Sequence, residues 1–188
     1  MLVLASSSPR RQELLRNAGI SFTVQAADID EAPRDRESAK DCAERLAREK
    51  ALAVSARRPG DFVLGADTVV AVDEVILGKP LDASDAARML GMLSGRTHEV
   101  ITGVCLVAPA PGIREWTESE STLVIMSGLT ADDIRSYVAT GESMDKAGAY
   151  AIQGMASRWI PRIEGDYSNV VGLPVARVWK MLRRFKAI

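Results

Sequence analysis

Five stretches of the chain carry side chains able to do chemistry on an anionic substrate. The first is "LASSSPRRQELL", residues 4–15, in which three serines, a proline and two arginines separate an apolar run from an amphipathic one. A serine-rich turn entering a helix offers backbone N–H groups, hydroxyls and the positive end of the helix dipole. Arg10 and Arg11 add bidentate donors for phosphate oxygens. Ser7, Ser8, Arg10 and Arg11 are therefore a candidate anion site, with no Walker-type glycine pattern beside them. The same residues also fit a plain helix cap followed by two solvated arginines.

Lys50 is the second. Ala43, Leu46, Ala47, Ala51 and Val54 recur at helical spacing, and Lys50 falls inside that stripe, four residues after Leu46. A lysine there either snorkels past the edge or meets an anion. The third is "DFVLGADTVVAVDEVILGKP", two apolar arms around Asp73–Glu74. A two-residue turn would pair Val72 with Val75 and, continued, Thr68 with Lys79, with Asp67 beside them at the end of the run "FVLGA". Gly65 and Gly78 would let a ligand approach the backbone; a surface ion pair is the plainer alternative.

The fourth stretch, "DIDEAP", places Asp28, Asp30 and Glu31 in a loop after a strand. With Asp67, these are hard oxygen ligands suited to Mg²⁺ or Mn²⁺, which bridge phosphates, although loop acids are also often simply solvated. The fifth, "DKAGAYAIQG" at 145–154, combines small residues with Gln153, whose amide can read a base edge through two hydrogen bonds. An ordinary turn at Asp145–Lys146 is equally compatible. The lone histidine, His98, begins a strand and supports no Ser/His/Asp or Cys/His arrangement, so its role is structural or it is exposed.

The elements that must position these residues alternate. A short strand "MLVLA" precedes a helix with Ser7 or Ser8 at its cap, Pro9 in its first turn and Gly19 as its stop. "ISFTVQAADID" is a second strand that decays into a polar loop at Asp28–Asp35, residues 37–57 a helix, and the arms around Asp73–Glu74 a hairpin. Ser84 caps a helix that ends before Gly95. Two strands near residues 98–126 follow, separated by a Pro/Gly turn. "TADDIRSYVATG" is a capped helix, residues 145–172 are irregular with short strand-like pieces, and "LPVARVWKMLRRF" is the closing helix. Such alternation predicts an α/β fold with a mixed sheet, and no linker divides residues 1–188.

Composition limits the partners. The 188 residues carry 24 Lys plus Arg against 25 Asp plus Glu, so a formal charge of −1 gives no global field favouring nucleic acid or a membrane surface. Cys42 and Cys105 lie far apart and match no metal spacing, as expected of small buried groups in a reducing compartment. "MLVLASSSPRR" lacks the basic residues that precede a secretory signal, and no apolar run reaches the roughly 20 residues of a membrane span. A cytoplasmic location is the expectation.

Taken in order, "LASSSPRRQELL", "DIDE", "RLAREKA", "GADTVV", "ILGKP", "LSGRTHEVITGV", "DKAGAYAIQG" and "GDYSNVVGLPV" resemble the Maf family of nucleoside triphosphate pyrophosphatases, from residue 4 to about 175. The resemblance implies one domain with an elongated mixed sheet flanked by helices and two lobes around a cleft, similar to the inosine triphosphate pyrophosphatases. It implies hydrolysis between the α and β phosphorus atoms of a nucleoside triphosphate, with a divalent metal, Mg²⁺ or Mn²⁺, on Glu31 and Asp67. Asp67 corresponds to the family's proton acceptor, and Glu31, Lys50 and Lys79 to its other catalytic positions. Arg10, Thr68 and Gln153 correspond to specificity positions of the branch acting on dTTP and UTP, with Arg11 on phosphate. The 7-methyl-GTP branch differs at "AYAIQG" and ranks second. A non-catalytic nucleotide-binding regulator of division is the rival class, since the family is linked to septum formation; a homodimer is also implied.

Overall fold

The computed structural model describes residues 1–109, 111 and 114–188. One seven-stranded sheet runs through them. Its strands are β1 (Leu2–Leu4), β2 (Thr23–Val24), β3 (Phe62–Val72), β4 (Val75–Leu77), β5 (Thr97–Val107), β6 (Glu115–Ile125) and β7 (Arg162–Glu164). The order is β2-β1-β3-β5-β6-β7, with β4 paired to β3 beyond the end of β1. The β1–β2 and β1–β3 pairs are parallel and the rest antiparallel, so the sheet is mixed as expected. Three strands of 11 residues, β3, β5 and β6, make it elongated, each spanning about 35 Å at ~3.3 Å per residue.

Helices cover both faces. They are α1 (Pro9–Asn17), α2 (Ala39–Ser55), α3 (Ala83–Leu93), α4 (Ala131–Ala139), α5 (Tyr167–Val171) and α6 (Val175–Arg184), with 3₁₀ turns at Ala147–Ala149 and Met155–Trp159. Helix α2 lies on one face because two glycines admit it. A Cβ on Gly65 would sit 2.1 Å from the Ala47 carbonyl oxygen, and one on Gly103 2.2 Å from that of Ala43. Gly65 thus serves helix–sheet contact rather than the ligand approach expected of it. The other face holds two apolar cores side by side. Leu15, Leu64, Val104 and Leu182 fill the core under α1 and α6, while Val70, Leu90, Val100, Tyr137 and Trp159 fill the one under α3 and α4. These are the two lobes.

Local signals set most of the boundaries. Ser38 caps α2 by accepting from the Asp41 amide, and Thr130 with Asp133 forms a capping box on α4. The cap of α3 is Asp82, not Ser84. Helix α5, capped by Asp166, lies within a stretch expected to be irregular. The expected Pro/Gly turn after β5 falls partly on residues outside those described. Among the described residues, no helix is long and apolar enough to cross a membrane.

Candidate active site

Strand β3 lies inside the sheet, yet one of its edges is bare for part of its length. β1 pairs with Phe62–Leu64 and β4 with Val70–Val72, so on that side nothing in the sheet pairs with residues 65–69. The Ala5 amide donates to the Leu64 carbonyl at 2.8 Å, which fixes Leu64, and by alternation Ala66 and Thr68, as the residues whose backbone groups face this edge. A cleft of about 790 Å³ opens there. Its walls come from the 5–11 turn, Glu31, Lys50, the 78–81 loop, the 144–153 segment and Gly172.

Asp67 sits mid-strand rather than at a strand end, and its side chain points to the α2 face. Lys50, buried in the apolar stripe of α2, places its Nζ 2.5 Å from Asp67 Oδ1 and 2.6 Å from Glu31 Oε1. Lys79 Nζ lies 2.9 Å from Glu31 Oε2. Of the two alternatives for Lys50, it meets anions. Burial alone would raise the Glu31 carboxyl, but hydrogen bonds from Lys50 and Lys79 bring it down to about 2. Asp67, Lys50, Glu31 and Lys79 thus form one chain of alternating charge across the cleft. Asp30 instead accepts from the Ala32 amide at 3.0 Å in a local turn, and Asp28 is exposed.

Thr68 projects to the opposite face. The β3–β4 register is the expected one, Val72 with Val75, but the ladder stops at Leu77, so Thr68 does not pair with Lys79. It stands opposite Thr102 of β5, with the two hydroxyl oxygens 2.9 Å apart. Thr68 Oγ1 also accepts from Arg11 Nη2 at 3.0 Å. Arg11 is buried, which lowers its pKa from the ordinary value. Two more of its N–H groups go to the Gly172 carbonyl at 2.8 Å and Ser6 Oγ at 3.1 Å. Any contact to phosphate is therefore left to the remaining two of its five donors.

Ser8 is the N-cap of α1, but its side chain makes no capping bond, while Pro9 fills the first turn. With Ser7 it lines the cleft. Arg10 reaches across to Asp145 Oδ2 at 3.2 Å, and exposed Gln153 lines the same cleft. His98 is buried and neutral, with Nε2 2.7 Å from the Tyr150 hydroxyl; burial brings it down to about 4. Cys42 and Cys105 are buried and free.

Among the described residues no three His, Cys, Asp or Glu side chains gather into a metal site on their own. Two carboxylates do share one ammonium, and Asp67 Oδ2 has no hydrogen-bond partner among the described residues. Magnesium is commonly held by one or two carboxylates plus substrate phosphates, so this donor set fits such an ion when a phosphate completes the shell. Cations on both walls, free helix-start amides and a pair of carboxylates make a cleft built to receive a polyanion.

Fold and site together define an α/β protein with a charged cleft at an interrupted sheet edge. The chain belongs to the family described as Maf-like protein, whose profile matches residues 1–185. A protein of Koribacter versatilis (strain Ellin345) described as dTTP/UTP pyrophosphatase is 56% identical over 97% of this chain and 93% of its own length. A protein of Symbiobacterium thermophilum with the same description is 54% identical over 98% and 93%. Among solved structures, a HAM1 protein from Coxiella burnetii shares the fold, with a TM-score of 0.52 and 17% identity over 97% of this chain and 98% of that one.

Proposed function

We propose that residues 1–188 form one Maf-like nucleotide pyrophosphatase domain that hydrolyses dTTP and UTP to the monophosphate and pyrophosphate. The observation that carries this reading is the Asp67–Lys50–Glu31–Lys79 charge chain facing the serine-rich start of α1 across one cleft. The two relatives described as dTTP/UTP pyrophosphatases support the choice of nucleotide.

In this reading the start of α1, with Ser7, Ser8 and Arg10, holds the phosphate chain by hydrogen bonds and helix dipole. Lys50 and Lys79 exchange their carboxylate partners for phosphate oxygens and stabilise charge on the departing pyrophosphate. Asp67 orients the attacking water and takes its proton at the carboxylate. Arg11 acts through Thr68 and Ser6, which it fixes in place. Gln153 reads the base edge. A divalent cation, Mg²⁺ or Mn²⁺, held by Glu31 and Asp67 would supply charge neutralisation at the phosphates.

The test is an assay of purified protein with Mg²⁺ or Mn²⁺ on dTTP, UTP, CTP, GTP and 7-methyl-GTP, with pyrophosphate and orthophosphate quantified separately. Pyrophosphate from dTTP and UTP is the expected result. Release from 7-methyl-GTP alone moves the chain to the other branch, orthophosphate alone rejects cleavage between the α and β phosphorus atoms, and no turnover favours a binding protein.

A further inference from the structure

The segment that carries Gln153 is irregular, with Gly148 and Ala149 both at positive φ, +69° and +60°. A non-glycine residue in that conformation is held by its surroundings. The Tyr137 side chain, from α4, is fully buried and edge-on to Trp159, with ring centroids 5.6 Å apart. Its hydroxyl accepts from the Ala151 amide at 3.1 Å and donates to Glu142 Oε1 at 2.8 Å. The other Glu142 oxygen, Oε2, accepts from the Met155 amide at 3.3 Å. These anchors bracket Gln153, two residues after Ala151 and two before Met155. Gln153 itself makes no side-chain hydrogen bond among the described residues.

A carboxylate suits both contacts, since Glu142 accepts from an O–H and an N–H at once. A glutamine would keep the Met155 amide only by turning its NH₂ to the Tyr137 hydroxyl oxygen, which reverses that bond and takes this acceptor from the phenol proton. Gly154 admits the carboxylate, since a Cβ there would sit 2.1 Å from Glu142 Oε1. The anchors lie behind the cleft, and neither Tyr137 nor Glu142 lines it.

We propose that Tyr137 and Glu142 are positioning residues that set base selectivity by fixing the backbone on both sides of Gln153. This rests on the reading of Gln153 as the base reader. With the segment loosened, Gln153 samples several positions and its two hydrogen bonds no longer separate uracil from cytosine. The phosphates, held by other elements, keep their geometry.

The experiment compares kcat and KM for UTP and CTP in the wild type, Tyr137→Phe, Glu142→Gln, Gln153→Ala and the Tyr137→Phe/Gln153→Ala double variant. Tyr137→Phe keeps the buried ring, so it tests the proposal should Glu142→Gln fold poorly. The expected result is a UTP-over-CTP preference reduced about tenfold in both single anchor variants, through KM, with kcat for UTP within about threefold of wild type. The double variant should show the preference of Gln153→Ala alone, because positions acting through one another are not additive. Unchanged preference in both anchor variants while Gln153→Ala abolishes it overturns the proposal. Equal losses on both nucleotides, or additive losses in the double variant, overturn it too. A wild type with no preference for UTP sinks the reading of Gln153 itself, and the anchors' role falls with it.

Discussion

Asp67 and Glu31 hold opposite sides of the same Lys50 ammonium, at 2.5 and 2.6 Å, so each carboxylate depends on the charge of the other residues in the chain. Asp67→Asn keeps the shape and removes the proton acceptor. We expect it to lower kcat at least about a hundredfold, the low end of what a positioned base contributes, while nucleotide binding stays measurable by calorimetry. Turnover retained within about tenfold, a barrier change of only ~1.4 kcal/mol, would take Asp67 out of that role. Lys50 stands out in the sequence because helical periodicity is local: a charge inside an apolar stripe is visible without knowing what lies opposite. The place of Thr68 is hidden in the sequence for the converse reason. Its hydroxyl partners, Arg11 and Thr102, come from α1 and β5, and no local spacing announces them. The Tyr137–Glu142 anchor is similarly silent, since it links a helix to amides of an irregular segment up to 18 residues onward.

Among the elements, α2 against β3 and β5 shows how one residue type acts with opposite sign in different surroundings. Gly65→Ala drives a methyl into the α2 backbone and should cost about 1–3 kcal/mol, the usual range for overpacking, or more. Gly91→Ala lies within α3, exposed and with nothing within 4 Å of the new Cβ. It should stabilise by about 0.5–1 kcal/mol through helix propensity. Urea unfolding of both variants checks the pair, and a neutral Gly65→Ala would disprove close contact there. The sequence marks both positions merely as glycine. It does show the starts of α1 and α4 and the Asp73–Glu74 hairpin, because caps and turns are settled by three or four adjacent residues, but it misplaces the cap of α3 and leaves out α5. Where β4 stops is settled by distant partners, since the Gly78 carbonyl accepts from the Gly148 amide at 3.1 Å and Lys79 turns to Glu31, so the ladder expected to reach Lys79 ends at Leu77.

For the whole molecule, a sheet whose long strands serve both lobes should unfold as one unit, with far-UV circular dichroism and tryptophan fluorescence giving a single midpoint. Its pH dependence carries the mark of His98. Folding lowers this side chain from 6.5 to about 4, so between those values the unfolded chain binds the proton more readily. The contribution is complete above pH 6.5 and is lost as pH falls toward 4, about 3 kcal/mol in all. His98→Gln should flatten that part of the curve; an unchanged slope would assign it to other groups. The bare edge of β3 has a consequence for hydrogen exchange. Thr68 turns its amide to the cleft, while Asp67 and Val69, one residue away on either side, turn theirs toward β5. In deuterated buffer the middle of this inner strand should therefore label in an alternating pattern, fast at 68 and slow at 67 and 69. A nucleotide seated in the cleft would level that alternation, reporting occupancy without any chemical step.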